Sequence, residues 1–184
     1  ASLNRAGITR YAYLPRPVKV IFLASPLATL VLFLLFWFSV PIGGRVLLGT
    51  FYYYLLYTTL GFNVFMGFGA TKAQQRRSPP WFDYVLAFIL LGALLFFLLN
   101  HASIAARAWE PPPTAVHQAL SVIVGLLALE AARRVAGWSL LVLLLPAMVY
   151  PPIAGYMPGI FYGVQLTFLE IMTDFTYGSN GMLG

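Results

Sequence analysis

Apolar residues along this chain fall into long runs separated by short polar or proline-rich breaks. The pattern predicts helices that cross a bilayer, each needing about 20 mostly apolar residues. Five runs qualify, at residues 20–40, 46–69, 81–100, 115–135 and 138–154. The second is unusual because Tyr52, Tyr53, Tyr54, Tyr57, Thr58, Thr59 and Asn63 all lie inside it. At helical spacing Tyr53 and Tyr57 share one face, as do Tyr54 and Thr58. Polar groups in lipid are satisfied by neighbouring helices, so this run is expected to be covered by protein on much of its circumference. Two readings stand: hydrogen bonds between helices of the bundle, or a polar seam touching a partner domain or substrate path. Asp83 falls in the first turn of the third run, where a carboxylate suits the helix dipole.

After Pro158 and Gly159 the period changes. Phe161, Val164, Phe168, Ile171, Met172 and Phe175 fall on one face of a helix over 160–175, with Gly163, Thr167, Glu170 and Asp174 on another. That spacing predicts an amphipathic helix lying in an interface, not a sixth span. The expected fold class is therefore all-α: a polytopic membrane helix bundle of about five transmembrane helices with a C-terminal amphipathic interfacial helix. Residues 1–19 form a basic lead, 20–135 a four-helix bundle, 136–159 a connecting transmembrane helix and 160–184 an outer interfacial segment.

Composition agrees. Of 184 residues, 60% are hydrophobic and 9% charged, whereas charged residues make up about a quarter of a soluble domain. There is no cysteine, hence no disulfide framework and no thiolate chemistry. The net charge of +6 would suggest a polyanion partner in a soluble protein, but here the cations flank apolar runs, so topology accounts for them and no nucleic acid is implied. With the N-terminus inside, Arg5, Arg10, Arg16, Lys19, Lys72, Arg76, Arg77, Arg133 and Arg134 are cytoplasmic, and Arg45 and Arg107 outside. Trp37, Trp81, Trp109 and Trp138 all fall near expected interfaces. The first run ends in no small-residue cleavage site, so it is read as a retained span.

Candidate chemistry is sparse. No catalytic constellation and no metal-ligand spacing appears, and no enzyme activity is expected. Gly67, Gly69 and Lys72 do not make a phosphate loop, which needs full glycine spacing and a Lys-Ser/Thr ending. His101 and His117 flank the outer ends of consecutive helices, a placement from which two imidazoles would ligate a tetrapyrrole; the plainer reading is two polar interfacial histidines and no cofactor. Glu130 lies three and four residues before Arg133 and Arg134, where helical side chains meet. It is either an ion-coupling carboxylate or a helix-end salt bridge that fixes how the fifth span leaves the fourth. Gly137 and Trp138 mark the turn and the interface between them.

The stretch from Glu130 through Arg133, Arg134, Gly137 and Trp138, the apolar run after it, and Gly155-Tyr-Met-Pro-Gly159 resemble a known family. They are similar to the N-terminal part of the fused membrane component of tripartite ATP-independent periplasmic (TRAP) transporters of the TAXI type. Gly181-Met-Leu-Gly184 resembles the opening of that family's large transport domain. The resemblance covers nearly the whole chain but is specific only from about Leu129 onward. It implies a small scaffold domain, joined through an extra helix to a large permease domain that carries the substrate and sodium sites, and helping to dock a periplasmic substrate-binding protein. It implies a bacterial inner membrane, with the N-terminus cytoplasmic and the C-terminus periplasmic. No catalytic residue transfers. The large domain is not within these residues, so the expectations are a segment of a longer polypeptide, a separate small subunit, or an accessory structural subunit of another energy-converting membrane complex, photosynthetic or respiratory.

Overall fold

The computed structural model describes residues 9–41, 49–71, 73–106 and 114–178. Among the described residues all regular structure is helical, with no strand, and the chain divides into two compact units at residues 106 and 107.

In the first unit a turn at Tyr11–Tyr13 precedes α1, Arg16–Trp37. α1 starts before its apolar run, because Pro15 and Pro17 preset helical entry and need no partner for a missing N–H. α2 spans Gly49–Gly67 and α3 Trp81–Leu99, the latter entered directly from Pro80. A short α4, His101–Ala106, follows; the sequence reading placed a loop there.

α2 is the centre of this unit, packed between α1 and α3. On the α3 side Tyr54 and Phe97 stack at 5.6 Å between centroids, and Phe65, Met66, Leu90 and Leu94 are buried around them. A Cβ on Gly61 would run into Leu90, so a small residue sets this approach, as is common between membrane helices. On the α1 side Phe36 and Tyr52 stack at 4.6 Å. The far face of α1 is bare: Val20, Leu23, Leu27, Leu30 and Leu34 are exposed.

In the second unit α5 spans Ala115–Ala136 and α6 Trp138–Ile153, separated by Gly137 alone. Turns at Ala154–Tyr156 and Gly159–Phe161 lead to α7, Phe168–Tyr177. α7 packs on α5 and more lightly on α6, with Met172 and Tyr177 buried. The sequence reading began this helix at 160. Instead Thr167 caps it: its hydroxyl accepts from the Glu170 N–H while the Glu170 carboxylate accepts from the Thr167 N–H. Such a reciprocal cap fixes a helix start, so Phe161, in the separate turn Gly159–Phe161, and Val164, on the chain between, cannot share the expected face.

Among the described residues, four helices are long and apolar enough to cross a membrane: Arg16–Trp37, Trp81–Leu99, Ala115–Ala136 and Trp138–Tyr156. The chain is a multi-pass membrane protein. α2, the second expected span, is as long as α3 at 19 residues, but its tyrosines, threonines and asparagine leave it less apolar.

Candidate functional site

α5 ends in the cluster that the sequence singles out. Arg133 grips Glu130 with two parallel bonds, Nε to Oε2 at 2.6 Å and Nη2 to Oε1 at 2.6 Å. Arg134 Nε also donates to Glu130 Oε1, at 2.8 Å. The Arg134 side chain is 1% exposed and the Glu130 side chain 28%, so one carboxylate holds one buried and one outer guanidinium. The planar guanidinium suits such forked bonding, which fixes direction as well as distance. The outer one lies over the Trp138 ring, 5.5 Å from its centroid, within cation–π range. That contact joins the last turn of α5 to the first residue of α6. Between them Gly137 takes φ +79°, a backbone region L side chains rarely adopt, and its N–H donates to Arg133 O at 2.8 Å. Chemically this is a clamp. Both of Glu130's oxygens accept from arginines, and the arrangement holds two helix ends at a set angle.

The polar seam of α2 is divided. Thr59 Oγ1 meets Thr29 Oγ1 of α1 at 2.7 Å, and Asn63 Nδ2 donates to Ser25 Oγ at 3.2 Å. These are the bonds within the bundle that the plainer sequence reading expects. Thr58 bonds back to Tyr54 O at 2.6 Å. Tyr53 is exposed, and Tyr57 half-buried.

The histidines belong to different units. His101 Nδ1 lies 2.8 Å from Leu98 O, and its ring meets Phe51 edge-on at 5.3 Å. His117 lies 5.9 Å from the Tyr177 ring. Each is held by its own unit. No group of three metal-binding side chains occurs among the described residues.

One pair escaped sequence reasoning. Arg10, read there as part of a basic lead, is wholly buried and forms a 2.7 Å ion pair with Asp83, itself 0% exposed. Its Nη2 also donates to Phe65 O and Phe68 O, each at 2.8 Å, and its N–H to Gly67 O at 2.7 Å. Arg10 thereby caps the C-terminal carbonyls of α2, left without partners where that helix ends, and ties them to the first turn of α3. The signal was present but faint: an acid opening an otherwise apolar helix needs a cation. Arg45, Lys72, Arg107 and Trp109, on which part of the topology reading rests, lie outside the described residues, as do Arg5 and Gly181–Gly184.

The second unit also holds an apolar cleft of about 290 Å³ between α5, α6 and α7, lined by residues including Gly125, Ala132, Met148 and Met172. Comparison with family models, curated proteins and solved structures finds no match.

Proposed function

We propose that this chain is the small, scaffold-like membrane domain of a TAXI-type TRAP transporter, sitting in a bacterial inner membrane and not transporting alone. One observation carries the reading. Glu130, Arg133, Arg134, Gly137 and Trp138, the residues on which the resemblance rests, are a single connected clamp at the α5–α6 junction. A domain whose work is to hold helices at fixed angles beside a moving partner needs such a junction. In this reading the partners are a large permease domain and, at the outer face, a periplasmic substrate-binding protein. The N-terminus and the loop holding Arg76 and Arg77 are cytoplasmic, and the chain after α6 is periplasmic.

The experiment is purification from native membranes in mild detergent, with every copurifying polypeptide identified by mass spectrometry. Peptides continuing past Gly184 into a large permease, or a separate permease in the complex, support the proposal. Only unrelated respiratory or photosynthetic subunits would overturn it in favour of an accessory structural subunit. The bare apolar face of α1 fits either kind of integral partner. The α2 polar groups Thr59 and Asn63 bond to α1 and favour neither.

A further inference from the structure

α6 crosses a bilayer only with its final turn included. Its 16 residues rise only about 24 Å. With the turn that carries the span to Tyr156, 19 residues in all, the rise reaches about 28 Å, matching the hydrocarbon core of about 30 Å with no length to spare. Tilt shortens its reach along the normal further. With Trp138 at one boundary, the chain leaves its helix at the other. The segment 156–164 therefore emerges in the far boundary layer.

What it presents there is apolar. Ile160 is 93% exposed, Val164 81%, Tyr156 80%, Tyr162 70% and Phe161 60%. No Asp, Glu, Lys or Arg occurs between Arg134 and Glu170. The backbone is also prepared for lipid, where unsatisfied N–H and C=O groups are costly. Gly163 N–H donates to Ala154 O at 3.1 Å, Leu166 N–H to Pro151 O at 3.2 Å and Tyr162 N–H to Gly159 O at 3.1 Å. The Gln165 amide donates to Pro152 O at 3.1 Å, and the Tyr150 hydroxyl to Phe161 O at 2.9 Å. These bonds cap the last carbonyls of α6 and hold the segment as a rigid return, reversed at Gly159, where φ is +64°.

We infer that residues 156–164 form a loop that inserts into the boundary layer of the bilayer and anchors the end of α6 there. Ile160, Phe161 and Val164 sit among the first acyl carbons, and Tyr156 and Tyr162, amphipathic rings suited to that depth, at the headgroups. This loop adds to the apolar surface of α7, where Phe168, Leu169 and Phe175 are exposed while Met172 and Tyr177 are buried in the unit. A soluble protein is the competing occupant, but protein interfaces carry a polar rim, and this surface has no charged residue. The inference rests on the membrane reading alone, not on the transporter assignment.

The chain has no cysteine, so single labels need no background removal. Ile160→Cys, Val164→Cys and, as an exposed reference on α7, Asp174→Cys are spin-labelled in liposomes of phosphatidylethanolamine and phosphatidylglycerol. Collision with oxygen is compared with collision with a water-soluble nickel chelate. The expected result is a ratio of oxygen to nickel accessibility several-fold higher at 160 and 164 than at 174, placing them about 5–10 Å into the boundary region. Nickel accessibility at 160 and 164 equal to that at 174 would put the loop in water, as a surface for a soluble partner, and overturn the inference. Shielding from both reagents would mean burial against protein and overturn it equally. Far-UV circular dichroism of each labelled variant confirms that its helices are intact.

Discussion

Asp83→Ala strips the counter-charge from a guanidinium that is 0% exposed. Arg10 remains held by the carbonyls of Phe65 and Phe68, so its charge stays buried among neutral groups, and breaking a buried pair in this way costs about 3–5 kcal/mol. Arg10→Met removes the charge but orphans two carbonyls at the end of α2, at about 1–3 kcal/mol each where no water replaces the donor. The double variant Arg10→Met with Asp83→Leu leaves no uncompensated charge. Its cost should fall below the sum of the single variants by a coupling of up to ~3 kcal/mol, the range for residues in direct contact. The assay is titration of the micelle-bound protein with sodium dodecyl sulfate, followed by far-UV circular dichroism; a loss of 1.4 kcal/mol is about a tenfold change in the unfolding constant. If Asp83→Ala stays within ~0.5 kcal/mol of the parent, as an ordinary surface change does, or the two losses simply add, the buried-pair account is wrong.

Gly125 faces Met172, whose sulfur a Cβ would meet. Gly125→Ala should be absorbed by a rotamer change of that flexible side chain, while Gly125→Val should cost about 1–3 kcal/mol by overpacking and speed proteolysis after α6. Thr59→Val removes the hydroxyl pair between α1 and α2. Such bonds average about 0.6 kcal/mol in membranes, so a loss well above ~2 kcal/mol in the same titration would mean that the pair does more than join two helices. The Glu170 carboxylate is held below its ordinary value by the Thr167 N–H and then by the Thr167 hydroxyl. A carboxylate depressed on folding stabilises above its unfolded value and loses that contribution as pH falls through the folded one. Hydrogen exchange over residues 168–177, corrected for intrinsic rates, should therefore show weaker protection below about pH 4, where carboxylates protonate. Glu170→Gln should flatten that dependence; an unchanged profile would contradict the capping role.

What was legible in the sequence follows from the scale of each signal. Runs of twenty apolar residues mark helices because lipid leaves the backbone no other way to satisfy itself, and each of the five runs holds a long helix. Glu130 with Arg133 and Arg134 was readable because partners three and four apart on a helix meet regardless of tertiary context. Arg10 and Asp83 are 73 positions apart, as their numbers show, and no local pattern joins them. Only the packing that brings the residues before α1 over the end of α2 does so. The start of α7 was misplaced for a different reason. Period alone cannot distinguish a helix from an extended segment carrying the same residues, and the Thr167–Glu170 box, a sharper signal, was read only as part of a polar face. α4 was missed because a six-residue helix shows less than two turns of any period.

The junction at Gly137 also bears on how the protein is made. A single residue between α5 and α6 leaves no slack for one helix to settle in the bilayer while the other waits outside. The Arg133–Trp138 contact joins residues five positions apart and needs no other part of the chain. A link this short predicts that the two helices insert as one hairpin. Lengthening the junction would change the order of assembly before it changed the finished fold.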